Sequence, residues 1–526
     1  MEHVELVLLF LLITVAALSA LARVIGVPYP ILLVVGGACV GFAPGVPDVE
    51  LEPDLVLLIF LPPLLFNAAY FSSLRDLRQN ARGITLSAIG LVLLTTVAVA
   101  VVAHAAVDGL PWAAAFALGA IVSPTDPLAA TAIARRLGVP RRLVAVIEGE
   151  SLVNDGSALV IYRTAVAAAG GSFALLDATG DFVLNVAGGI AVGLAASVVF
   201  LWIFRKIVSD DLLGVVLSLV CGYAAYLPAE QLGVSGVLAA VTVGLVVGNR
   251  SPGLSTAASR LRGYAFWEVL VFLLNALLFV LVGLQLPGIL ANQDRSAGEL
   301  AVLAVLVSVV VIAARLVWIN TVPYVIRALD RRPSQVARRV GWRPRFVVGW
   351  SGLRGAVSLA AALALPTDFP ERDLLIFLTL AVIFATLVLQ GLTLPPLIRL
   401  LDVQDDGQGD REELHARKTA TQAALEHLRG LEGADGMRPD TIERMIALYE
   451  FRRRRLTQRA ETFHGRERSE DEDLDERSHT YQGLVRGVLD VQRARVVELR
   501  DEGTISDEVM HALERELDLE DQRLEI

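Results

Sequence analysis

The sequence predicts an all-α membrane protein: thirteen transmembrane helices in two inverted six-helix repeats with interrupted helices, plus a helical cytoplasmic tail. Three observations predict it. Hydrophobic residues make up 54% of the 526 and charged residues only 19%, with a mean hydropathy of +0.58, which argues against a soluble enzyme. Apolar stretches near the roughly 20-residue length that crosses a bilayer recur along residues 1–400. Basic residues cluster in every second connection between those stretches.

Spans one to four run over 4–22, 28–43, 54–71 and 83–105. The first lacks a basic leader and a small-residue cleavage site, so it reads as a retained span, not a removed signal peptide. Span three carries the polar Asn67 within LPPLLFNAAY, where two prolines kink the helix. Span five, 111–134, is interrupted by SPTDP at 123–127, and span six, 143–169, contains GESLVNDGSALVIY with Glu150, Ser151, Asn154 and Asp155. Spans seven to eleven run over 181–204, 212–228, 233–249, 265–286 and 299–326. Span twelve, 346–365, is interrupted by SGLRGA at 351–356, and span thirteen covers 373–400. Cys39 and Cys221 lie in apolar runs and read as packing residues. Residues 1–400 thus form a transmembrane domain, and residues 401–526 a separate tail with helix-like stretches near 411–432, 439–460, 478–500 and 505–525. The net charge of −10 belongs to that acidic tail. Its runs RRRR and EDEDLDE read as solvated helix faces or linkers, with a regulatory or lipid-binding role left open.

Connections after odd-numbered spans carry the bases, among them Arg75, Arg78 and Arg82, then Arg135, Arg136, Arg141 and Arg142, then Arg331, Arg332, Arg338 and Arg339. Those after even-numbered spans carry Arg295 and Arg372 alone. Basic short loops mark the cytoplasmic side, so the N-terminus lies outside and the tail inside a cell membrane. Lys206 and Lys418 are the only lysines, a bias expected of a GC-rich bacterial genome. Thirteen spans divide as six, a linker and six, so span n and span n + 7 start on opposite faces, the geometry of inverted repeats. The interrupted spans five and twelve are seven apart.

An ionised carboxylate at the bilayer centre costs about 2.5 kcal/mol or more on insertion scales, so an acid kept there marks a functional site. Ser151 and Asp155 are four residues apart and share a helix face, as do Glu150 and Asn154. Asp155 lies near mid-span, the depth of ion sites in carriers, and reads as the cation and proton ligand. Glu150 reads as half of a buried ion pair with Arg354 of span twelve, since each is expensive alone. In SPTDP, Pro124 and Pro127 free backbone carbonyls, and Thr125 and Asp126 add hard oxygens suited to a small alkali cation. Asn67 is placed to face the same cavity. Arg163, Arg315, Asn275 and Gln390 also fall in apolar segments; Arg163 reads as snorkelling outward, and Arg315 has no partner that the sequence names. No P-loop, HExxH, haem or catalytic-triad pattern occurs, and no nucleic-acid partner, enzyme activity or cofactor is expected.

With these residues assembled, the chain resembles the monovalent cation/proton antiporter family, in its sodium/proton exchanger branch. FLPPLLFNAAY, SPTDPLAATAI, EGESLVNDGSALVIY and WSGLRGAVSLAAALALP carry the likeness over residues 4–400. The resemblance implies thirteen helices, a homodimer and elevator-like movement of a core holding the crossed helices. It implies that Asp155 binds cation or proton in turn, with Asn154, Ser151, the Thr125 backbone and, through water, Asp126 as neighbours, and that Glu150 pairs with Arg354. Several members have an acid where this chain has Asn67.

The expected function is exchange of Na+ or Li+ for H+. With Glu150 neutralised, Asp155 is the one exchangeable charge, and exchange is expected to be electroneutral, one for one. K+/H+ exchange is the alternative within transport. A cation channel or a membrane sensor is the alternative from another class; interrupted helices at inverted positions favour the carrier.

Overall fold

The computed structural model describes every residue except 1, 26–27, 44–52, 170–174, 208–210, 251–252, 254–255, 292, 294, 330–338, 404, 406, 432–437, 463–470, 503 and 525–526. Arg331, Arg332, Arg338 and Glu470 of the basic and acidic runs lie outside the described residues. The chain divides into two compact units, Met1–Asp405 and Asp406–Ile526. Among the described residues no strand occurs.

The first unit begins with α1 (Glu2–Ile25), α2 (Tyr29–Gly41), α3 (Pro53–Tyr70) and α4 (Leu74–Ala106). The helix α4 starts well before the apolar stretch that predicted it. Its first turns, Leu74 to Arg82, are polar and amphipathic, so hydropathy misses them, while Ser73 caps the start by accepting the Asp76 N–H at 3.2 Å. The fifth predicted span is two half-helices, α5 (Trp112–Val122) and α6 (Pro127–Arg136). Next come α7 (Arg141–Ala169), α8 (Leu175–Ile207), α9 (Asp211–Gln231), α10 (Gly236–Arg250), α11 (Ala257–Ala291) and α12 (Ala297–Leu329). The twelfth predicted span is also broken, into α13 (Trp342–Trp350) and α14 (Ala356–Leu363), and α15 (Arg372–Leu400) follows.

Six of the described helices are long and apolar enough to cross a membrane, and further apolar helices are shorter. On α8, Val198 and Trp202 are 70% and 62% exposed, and such uncovered apolar surface suits lipid rather than water. The protein is a multi-pass membrane protein.

Helices α1 to α3 and α8 to α11 pack mainly on one another, and α4 to α7 pack with α12 to α15. The closest seam in the first bundle joins α2 and α11. There a Cβ on Gly37 would meet the Val280 carbonyl and one on Gly283 the Val34 carbonyl, so glycine lets the two backbones touch. The two bundles meet where α3 and α11 face α14 and α15. Cys221 is buried, whereas Cys39 is exposed on α2.

The second unit contains α16 (Gln408–Gly430), α17 (Pro439–Thr462), α18 (Asp471–Asp501) and α19 (Asp507–Leu524). Helix α16 packs on α17 and α18 on α19, with Leu425, Ile442, Leu489 and Met510 buried. Exposed ion pairs run between the paired helices, including Arg429 to Glu450 at 2.9 Å and Arg493 to Asp518 at 2.9 Å.

Candidate functional site

The two broken helices cross and complete each other's backbone. Helix α5 stops at Val122 because Pro124 supplies no N–H, and Pro127 opens α6, where a missing N–H costs nothing. Between them the Asp126 N–H donates to the Leu353 carbonyl at 2.8 Å. In return, Arg354 donates through Nη1 to the carbonyls of Ser123 and of Pro124, the latter at 2.7 Å. A guanidinium at the carbonyl end of α5 also opposes the negative end of that helix. The Arg354 N–H donates to Thr386 Oγ1 at 3.2 Å, tying the crossing to α15 where its backbone makes a π turn over Thr386–Gln390.

Gly355 is required at this crossing, because a Cβ there would overlap the Asp126 carboxylate. Gly355→Ala should therefore push the crossing apart, costing about 1–3 kcal/mol of stability and much of the activity. Thermal unfolding in detergent together with a flux assay checks it; a wild-type melting temperature and rate would refute the tight contact.

Helix α7 lays its polar face against the broken α5–α6 segment. Thr125 Oγ1 is 3.0 Å from Ser151 Oγ and accepts from Asn154 Nδ2 at 2.9 Å. Thr125, Ser151, Asn154 and Asp155 are all buried. Beside them lies a cavity of about 210 Å³ whose wall includes Thr125, Asp126, Ser151, Asp155 and, from α3, Asn67. Among the described residues none donates a hydrogen bond to the Asp155 carboxylate. A larger cavity of about 1160 Å³ shares Asn67, Asp126 and Asn275 with the smaller one and reaches Arg23, Arg136 and Arg399. The site is a set of hard oxygens around the buried Asp155 carboxylate, walled on one side by α3 and α11 and on the other by the crossing.

The profile of the sodium/hydrogen exchanger transmembrane family matches residues 9–400. The chain belongs to that family. An uncharacterised Na(+)/H(+) exchanger of Mycobacterium bovis is 38% identical over 98% of this chain and 97% of its own length. The Na(+)/H(+) antiporter ApNhaP of Aphanothece halophytica is 32% identical, covering 84% of each chain. A sodium, potassium, lithium and rubidium/H(+) antiporter of Bacillus pumilus is 31% identical over 86% of this chain and 69% of its own length. The sodium proton antiporter MjNhaP1 of Methanocaldococcus jannaschii shares the fold, with a TM-score of 0.61 over 76% of this chain and all of that one, at 19% identity.

In this exchanger the buried ion pair is not the one the sequence suggests. Glu150 pairs with Arg315 of α12, not with Arg354, and both side chains are at most 2% exposed. Arg315 also donates to the Val348 carbonyl at 3.1 Å. Two features redirect the pairing. The Arg354 guanidinium is spent on the Ser123 and Pro124 carbonyls and makes no ion pair with a described residue, while Gly352 leaves room for the Arg315 side chain, which a Cβ there would strike. Arg163 pairs with Glu230, near the end of α9, at 2.8 Å.

Of the other residues singled out in the exchanger's sequence, Thr125, Asp126, Ser151, Asp155 and Asn67 come together on the cavity wall. Asn154 does not line it; its amide clamps Thr125 from behind. Asn275 joins the wall from α11, its Nδ2 tied to the Val271 carbonyl at 2.8 Å. Ser358 of α14 also lines the cavity and drew no attention in the sequence. The signal available was its place in the first turn after SGLRG, a hydroxyl at the start of a half-helix.

Proposed function

We propose that this exchanger carries Na+ or Li+ against H+, one for one, with Asp155 binding either ion in turn. The single observation that carries the reading is the buried Asp155 carboxylate, which accepts no hydrogen bond from a described residue, beside the Ser151 and Thr125 oxygens on a cavity between two bundles. Hard oxygen ligands suit alkali cations, and the ions are cargo, so no cofactor is needed.

The charge balance supports electroneutral exchange. Glu150 offsets Arg315, which leaves Asp155 on the cavity wall to be neutralised by H+ or by Na+. The loaded site is neutral with either ion and crosses; the empty site carries a bare buried charge and does not. On this reading the thirteen apolar segments are thirteen spans in two inverted repeats, and the bundle holding the crossing slides as an elevator against the other. The N-terminus is outside and the second unit is a cytoplasmic tail. The larger cavity then opens to the cytoplasm, because Arg136 and Arg399 at its wall belong to the basic side. A homodimer in a bacterial cell membrane serving pH homeostasis completes the reading.

K+ as an additional cargo has one observation in its favour, the Bacillus pumilus relative whose name includes potassium. The test is internal pH in proteoliposomes with a preset proton gradient, as Na+, Li+ or K+ is added outside. Dissipation by Na+ or Li+ at a rate indifferent to an imposed membrane potential is expected. A rate that follows the potential refutes one-for-one exchange, dissipation by K+ alone changes the cargo, and no response to any cation overturns exchange in favour of a channel or sensor.

A further inference from the structure

We propose that Ser358 supplies an oxygen to the transported cation, so that the first turn of α14 belongs to the binding site; this rests on the exchange reading above. Serines inside helices ordinarily return their hydroxyl to the carbonyl one turn back. This chain does so repeatedly: Ser197 donates to the Gly193 carbonyl at 2.6 Å, Ser157 to that of Val153 at 3.1 Å, and Ser308 to that of Ala304 at 2.7 Å. Ser358 does not. It is 2% exposed, and its Oγ has no hydrogen-bond partner.

A buried hydroxyl without a partner is costly, and in a folded protein it calls for an ion or a water to complete it. The position of Ser358 says which. It lines the cavity of about 210 Å³ together with Thr125, Ser151 and Asp155, on the half-helix whose preceding residue, Gly355, packs against Asp126. A hydroxyl there also serves both loaded states, since it offers a lone pair to a cation and a proton to a carboxylate. The first cation ligands come from α5–α6 and α7; Ser358 adds one from the other broken helix, so that a bound cation joins both halves of the crossing.

The full-length protein with Ser358→Ala tests this. Because the hydroxyl has no protein partner, its removal leaves the melting temperature in choline buffer unchanged or higher. The rise in melting temperature on adding Na+ or Li+ shrinks, and the apparent KM for Na+ rises about five- to tenfold with the maximal rate retained. Ser358→Cys, which keeps the volume but presents a soft sulfur, gives the same KM increase and covers the case in which the alanine variant is poorly recovered. A wild-type KM for Na+ and Li+ in either variant overturns the assignment, as does a lower maximal rate with unchanged KM and a lower melting temperature in choline. If the wild-type protein itself shows no cation-driven pH change, it is the exchange reading that fails.

Discussion

Asp155→Asn should abolish Na+-driven proton movement in proteoliposomes, down to the leak of empty vesicles, while the protein still inserts and folds. Asparagine is nearly isosteric, so the Thr125, Ser151 and Asn154 contacts around it keep their geometry. What is lost is the charge. An amide neither releases a proton near neutral pH nor offsets a cation in a low-dielectric cavity, so neither half of the exchange proceeds. Because no described residue donates a hydrogen bond to the carboxylate, neutralising it strands no protein donor, and the melting temperature without cation is expected to hold or rise. Asp155→Glu keeps the charge but moves it by a methylene, so it retains part of the rate. Substantial exchange by Asp155→Asn would place the ion elsewhere.

The second large effect concerns stability. Glu150→Ala leaves Arg315 as an unpaired charge in the membrane core, and Arg315→Ala does the same to Glu150; each should cost about 3–5 kcal/mol. The double change Glu150→Ala with Arg315→Ala removes both charges and should recover a large part of that loss. Glu150→Ala with Arg354→Ala should recover none of it, since Arg354 serves the Ser123 and Pro124 carbonyls. Folded yield and melting temperature of the five proteins, wild type included, form the cycle. Equal rescue by the Arg354 combination, or none by the Arg315 one, would contradict the pairing.

That pair also shows where sequence reasoning stops. Arg315 and Arg354 both lie in apolar segments, and either is an adequate partner for Glu150 by charge and cost alone. The choice depends on which guanidinium is already engaged and on the missing side chain at Gly352, both of which are contacts between segments far apart in the chain. Ser358 is hidden for a related reason: a serine in an alanine-rich helix is unremarkable until its buried hydroxyl proves to make no hydrogen bond. The polar start of α4 escaped because hydropathy measures lipid compatibility, not helicity.

By itself, the sequence determined the helical class, the apolar segments, the two breaks and the acid at the centre of the sixth segment. Each of these is written in local composition: apolar length against bilayer thickness, proline and glycine against helix continuity, and a carboxylate against the cost of burial. The tertiary structure alone decided who pairs with whom. It set Arg315 against Glu150, turned Asn154 onto Thr125, and brought Asn67, Asn275 and Ser358 from three separate helices to one cavity wall. Those outcomes follow from crossing geometry and competition among partners, which a one-dimensional pattern does not encode.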